Sequence, residues 1–281
     1  MYKFPIGVML DSFRLPFGPA LDAAVKTGAS GLQVYTTGGD MSPESLSPQK
    51  RRELLDQITS RGLVVSALCG DFGHGFGDAA NNHKLIESSK AILDLAGDLG
   101  TDVVTTHIGV VPEDPGHDRY KIMQDACGEL SRYAAEHKAY FAVETGPETA
   151  VVLKAFLDSL GAKGVAVNLD PANLVMVTGD DPVQAVFTLK DYIVHTHAKD
   201  GIKLNDKSVE AVYGLIEDEI QAGQSFREVP LGTGGVDFPR YLAALTDIGY
   251  KGFLTVEREV GDNPYDDILM AVNFLKGLTN Q

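Results

Sequence analysis

Residues 165–170 read VAVNLD, an apolar run that ends on a carboxylate, and the same design recurs at 140–144 (YFAVE), 192–197 (YIVHTH) and 252–257 (GFLTVE). Parallel strands buried on both faces read as near-continuous apolar runs of this kind. The residues that close the runs are Glu144, Asp170, His197 and Glu257, all of metal-ligand type. Ligands at several strand ends converge only when the strands close side by side. In a (β/α)8 barrel, catalytic residues sit at those C-terminal ends. These runs therefore predict an α/β TIM barrel with its site at the carboxyl rim.

Working outward, eight candidate strands are spaced along the chain at 6–10, 31–35, 63–67, 102–106, 140–143, 165–169, 192–196 and 252–256. Helical patterns lie between them. Leu85, Ser89, Ile92, Ala96 and Leu99 mark one helix face, widened by Ile86 and Leu93; Val152, Leu153, Phe156, Leu157 and Leu160 mark another. Gly28, Gly62, Gly100, Gly161 and Gly249 stop helices ahead of strands, and Ser47-Pro48, Asp181-Pro182 and Asn263-Pro264 start them. Eight such alternations fit a closed barrel better than an open doubly wound sheet.

The chain has 281 residues, 44% hydrophobic and 22% charged, which suits one large barrel over 1–281. A net charge of −15 argues against nucleic acid, whose recognition needs a basic footprint. Cys69 and Cys127 form neither a disulfide framework nor a zinc pair. The N-terminus MYKFPIGVML lacks the apolar core of a signal peptide, and no stretch approaches a membrane span. The expectation is a cytoplasmic enzyme.

Two loops stand out. Residues 69–78 (CGDFGHGFGD) lack the Lys-Ser/Thr ending of a phosphate loop and suggest a mobile lid or wall, or an ordinary irregular loop. Residues 198–236 are a long loop after the seventh strand, and long loops are often functional. Within it, 208–221 reads as a short amphipathic helix through Val209, Val212, Leu215, Ile216 and Ile220.

Three carboxylates and one imidazole make a hard, oxygen-rich donor set, better suited to Mn2+, Mg2+ or Co2+ than to structural zinc. One divalent ion, with Mn2+ preferred, is the expected cofactor. Each residue also has an ordinary alternative: a strand-end Glu or Asp often caps a helix, and Asp170 before Pro171 could cap a turn. Four compatible ligands at four separate strand ends favour the metal.

The motifs 143–150 (VETGPETA), 168–174 (NLDPANL), 195–201 (HTHAKDG), 230–238 (PLGTGGVDF) and 249–259 (GYKGFLTVERE) resemble the xylose-isomerase-like TIM-barrel superfamily of sugar isomerases and epimerases. That superfamily also includes abasic-site endonucleases and keto-inositol dehydratases. The resemblance implies that Glu144, Asp170, His197 and Glu257 bind one divalent metal, and that Glu144 and Glu257 are the catalytic acid–base pair. It further suggests substrate contacts from Asn173, which stands where these families commonly carry His, and from His107, Lys199 and Arg227. His107 also matches a nuclease metal ligand, but the third-strand histidine of that group is absent. The expected function is isomerisation or epimerisation of a ketose or keto-sugar through a metal-stabilised enediolate. The alternatives are a lyase or dehydratase on the same barrel, an abasic-site nuclease, and a sugar-binding barrel that has lost catalysis. The expected partner is a small sugar, with homo-oligomerisation left open.

Overall fold

The computed structural model describes residues 2–213, 215 and 224–279. Eight parallel strands close into a barrel: β1 (Ile6–Met9), β2 (Gly31–Tyr35), β3 (Val64–Cys69), β4 (Val103–Thr106), β5 (Tyr140–Glu144), β6 (Val165–Leu169), β7 (Ile193–Ala198) and β10 (Leu254–Val256). Each pairs with the next, and β10 joins β7 to β1. Two short strands between β7 and β10, namely β8 (Asp200–Lys203) and β9 (Phe226–Val229), form a separate antiparallel ribbon.

The main helices are α1 (Phe17–Thr27), α2 (Pro48–Thr59), α3 (Ala79–Asp98), α4 (Asp118–Glu136) and α5 (Ala150–Leu160). They are followed by α6 (Pro171–Asn173), α7 (Pro182–Thr188), α8 (Val209–Val212), α9 (Phe238–Asp247) and α10 (Pro264–Thr279). Their punctuation follows the sequence. Gly28 and Gly161 cap α1 and α5 in the left-handed region, at φ 81° and 62°. The helices α2, α7 and α10 start on the three prolines, with Ser47 and Asp181 capping the first two. The predicted face of α3 is buried through Ile86, Ser89, Ile92, Leu93 and Ala96.

Alternation is hidden inside the apolar strands. In β5 and β6, Phe141, Val143, Val165, Val167 and Leu169 join the main core, whereas Ala142 and Ala166 meet Ala67 and Val103 in a small cluster of their own. The parity of Ala166 continues to Asn168 and Asp170, and that of Ala142 to Glu144. Small apolar side chains thus fill the lower barrel, and polar ones occupy its rim.

Two strands run two residues further than the sequence suggests. Pairing of Cys69 with both Tyr35 and Thr105 carries β3 two residues past Ala67, and pairing of Val256 with Ala198 extends β7. The segment 198–236 is not a plain loop, because Asp200–Lys203 finds a partner in Phe226–Val229. Of the expected 208–221 helix, Val209–Val212 is helical, capped by the Ser208 hydroxyl; Gly214 and 216–223 lie outside the described residues. No described helix is long and apolar enough to cross a membrane.

Candidate metal centre

Four side chains meet at the carboxyl rim. Donor atoms of Glu144, Asp170, His197 and Glu257 lie within 4.8 Å of one another, and all four residues are buried. Nδ1 of His197 sits at the centre, 3.4 Å from Glu144, 3.2 Å from Asp170 and 3.3 Å from Glu257. Asp170 divides its oxygens: Oδ1 accepts from the backbone N–H groups of Ala172 and Asn173, and Oδ2 faces His197. It is a turn cap and a member of the cluster at once.

A polar layer beneath holds these groups. Oε1 of Gln33 lies 2.9 Å from Nε2 of His197, so that nitrogen carries a hydrogen and Nδ1 is the one presented to the carboxylates. The Gln33 amide donates to Thr105, which fixes its own orientation. Asn168 donates to Glu144 at 3.1 Å and accepts from Nδ1 of His195. Register shifts help to aim this layer: β2 slips against β3 at Leu32/Gln33, and β6 against β7 at Val167/Asn168. Such irregularities re-aim side chains beside sites.

The two glutamates are held differently. Glu144 accepts from the amides of Asn168 and Asn173, both at 3.1 Å. Glu257 accepts from the buried ammonium of Lys199 at 2.9 Å, and Lys199 also pairs with Glu259 at 2.5 Å. Burial by itself would raise the Glu257 carboxyl, but Lys199 and His197 outweigh it and hold that group well below the usual range. Burial would lower His197, yet Glu257 and Glu144 hold it well above its ordinary value.

His107, Asn173 and Lys199 line a pocket of about 240 Å3 together with Glu144 and Glu257. His107 is tied from behind by Asp71 at 3.0 Å, and its Nε2 lies 3.6 Å from Glu144. Burial opposes its charge, but Glu144 and Asp71 raise it to about 9. The structure does not bring Arg227 to this pocket. Arg227 is exposed on β9, and alternation turns its neighbour Phe226 inward instead. Gln33, Asn168, Asp71, Tyr35 and Tyr213 also build or line the site, and none ends an apolar run in a way that announces it.

The donor set fits a divalent cation. Three carboxylates buried together repel one another unless positive charge is added, and the imidazole nitrogen aimed at them is fixed by a neighbour's amide, as for a metal-bound histidine. Comparison with known proteins identifies the family. The sequence profile described as xylose isomerase-like TIM barrel matches residues 21–278. The chain belongs to the xylose isomerase-like TIM barrel family. No curated protein matches it in sequence. Among solved structures, a xylose isomerase domain protein from Planctomyces limnophilus is 26% identical, with 99% of this chain and 97% of that one covered and a TM-score of 0.81. The 3-keto-D-glucoside 4-epimerase YcjR of E. coli is 17% identical, with 98% and 100% covered and a TM-score of 0.72. A family protein from Mycobacterium smegmatis, solved in complex with magnesium, is 19% identical, with 100% and 99% covered and a TM-score of 0.73.

Proposed function

We propose that this family member is a divalent-metal-dependent isomerase or epimerase of a ketose or keto-sugar, with Mn2+ as the working ion. The observation that carries this reading is the buried convergence of Glu144, Asp170, His197 and Glu257 beside a pocket lined by His107, Asn173 and Lys199. A cation held by the four would act as a Lewis acid toward the substrate carbonyl.

The chain's own residues supply the proton chemistry. Glu144 on β5 and Glu257 after β10 are separated in the barrel wall by β6 and β7, so they approach a bound sugar from different sides. One takes the proton from the carbon beside the carbonyl, and the other returns a proton to the enediolate on the opposite face. Lys199 keeps Glu257 ionised and directed, while Asn168 and Asn173 orient Glu144. His107, backed by Asp71, presents Nε2 to a substrate hydroxyl.

The test is elemental analysis of the purified protein, then a screen of ketoses, keto-inositols and keto-glycosides with Mn2+ restored. About one bound ion per chain and a product of unchanged mass are expected. Loss of water or of an aglycone would move the protein to the lyases. Failure to take up Mn2+ at all would overturn the metal-dependent reading.

A further inference from the structure

The segment that follows β10 is fixed more firmly than a rim loop requires. Glu259 donates its backbone N–H to Oε2 of Glu228 on β9 at 3.2 Å. Its carbonyl accepts from the Arg14 guanidinium at 2.8 Å, and the same guanidinium reaches the Gly261 carbonyl at 2.9 Å. The neighbouring Arg258 is held by Glu228, by Asp267 on α10 and, through its backbone N–H, by the Ser12 hydroxyl. Arg14 itself sits in the left-handed region, at φ 55° and ψ 35°, a conformation that a residue with a Cβ keeps only where its surroundings impose it. Three parts of the chain, after β1, on β9 and on α10, thus converge on this short segment, and the carboxylate they aim is that of Glu259.

The Glu259 side chain is 59% exposed, yet its Oε2 lies 2.5 Å from Nζ of Lys199, whose side chain is 4% exposed. The same ammonium lies 2.9 Å from Oε2 of Glu257, whose side chain is 7% exposed. That oxygen is also the one 3.3 Å from Nδ1 of His197, so Lys199 grips a donor atom of the cluster itself. Lys199 therefore bridges a buried carboxylate that belongs to the cluster and an exposed one that does not.

A divalent ion held by the cluster and the Lys199 ammonium are like charges that draw on one carboxylate. With Glu257 as its sole anionic partner, Lys199 would be left buried beside a carboxylate already neutralised by the ion, and a buried charge without its partner is strongly unfavourable. Glu259 removes that obstacle, because the ammonium keeps a charged partner at hydrogen-bond distance however Glu257 is used.

We propose that Glu259 is a positioning residue for the metal centre: it retains the Lys199 ammonium when a divalent cation draws on Glu257, and so lets the cluster exchange an internal positive charge for an external one. The inference rests on the metal-dependent reading of the cluster and not on the sugar chemistry. The test is Mn2+ affinity, read by competition with a chromophoric chelator. Glu259→Gln is expected to weaken binding by about tenfold, with an unchanged urea midpoint in EDTA. In a Lys199→Met background, which has no ammonium to retain, the same substitution should cost less than about twofold at about 0.15 M KCl, where the field of an exposed charge is screened. If Lys199→Met does not fold, the loss in Glu259→Gln is compared at about 0.05 M and about 0.5 M KCl; loss of a contact partner survives the added salt, whereas loss of a distant field fades. Unchanged affinity in Glu259→Gln, an equal loss in the Lys199→Met background, or a loss that vanishes at high salt would overturn the proposal. No Mn2+ uptake by the wild type or any variant removes the metal reading and this inference together. The expected pattern of affinities without an isomerised or epimerised product from any sugar keeps the inference and removes the reaction class.

Discussion

Gln33 shows how much of the centre depends on a residue that cannot itself bind the ion strongly. Its carbonyl oxygen fixes the proton on Nε2 of His197, and its amide is anchored on Thr105. Outer partners of this kind typically change metal affinity 10–100-fold when removed. Gln33→Ala is expected to weaken Mn2+ binding by about that factor, measured by competition with a chromophoric chelator; unchanged affinity would mean that the carboxylates alone orient the imidazole. Glu148 matters for stability rather than for the centre. It is buried, one oxygen accepts a long 3.4 Å bond from Val111 N, and the other has no partner among the described residues. Burial pushes its carboxyl up to about 8, against the lowering effects of the Val111 N–H and of His107. The folded-state value lies above the ordinary 4.5, so the stabilising contribution is complete below about pH 4.5 and is lost as pH rises through about 8. Between those limits wild-type stability should fall by up to about 1.4 kcal/mol per pH unit relative to Glu148→Gln. Urea denaturation of both proteins at pH 6 and pH 8 checks the sign, and parallel pH dependence would assign the slope to other groups.

At the scale of elements, the ribbon β8–β9 and the turn that follows it are organised by one carboxylate. Asp200 is buried and accepts from the backbone N–H groups of Gly201, Gly232, Gly234 and Val236 at 2.8–3.1 Å. Space for this is made by glycine: a Cβ on Gly234 would lie 2.3 Å from the Asp200 carboxylate. The PLGTGG motif thus wraps an internal anion of the chain. Hydrogen bonds to charged groups contribute about 1.5–3 kcal/mol each in favourable cases, and orphaned donors add a penalty. Asp200→Ala should therefore destabilise the protein by at least about 2 kcal/mol in urea melts, with faster proteolysis at 230–236 as the local sign; a change below about 0.5 kcal/mol would show that the turn holds without it. The same elements explain what could be read in advance. Glu144 and Asp170 were legible because strand parity runs unbroken from Ala142 and Ala166 to the rim. Gln33 was not, since its aim depends on a register shift between β2 and β3 that leaves no mark in composition. The exposure of Arg227 has a related cause: without knowing that Ile202 faces it across the ribbon, nothing in the sequence decides whether Phe226 or Arg227 turns inward. Asp71 lay in a loop whose glycines drew notice to its flexibility, whereas its contacts with His107 and Gly73 make it part of the wall.

Across the whole molecule, the cluster at the barrel mouth is a concentration of negative charge in a chain that already carries a net −15. The charges of His197 and Lys199 offset it: both groups are pushed down by burial but held well above their ordinary values by the surrounding carboxylates, Glu257 foremost. A cation that takes the place of the Nδ1 proton on His197 must displace that proton, because only the deprotonated nitrogen can ligate. Two consequences follow from the same competition. Mn2+ binding should release about one proton per site, so apparent affinity should rise with pH; calorimetry in two buffers of different ionisation enthalpy measures the number directly. The ion should also stabilise the barrel, because the unfolded chain scatters the four ligands along the sequence. Ligand at about 100 times its dissociation constant adds about 2.7 kcal/mol, which for a chain of this size corresponds to a rise in Tm of roughly 5 °C, reversed by EDTA. In Glu257→Gln the fold should persist while most of that gain and all turnover disappear. A wild-type melting curve indifferent to both Mn2+ and EDTA would leave the four residues as an internal charge network, with Lys199 and His197 as its permanent counter-ions.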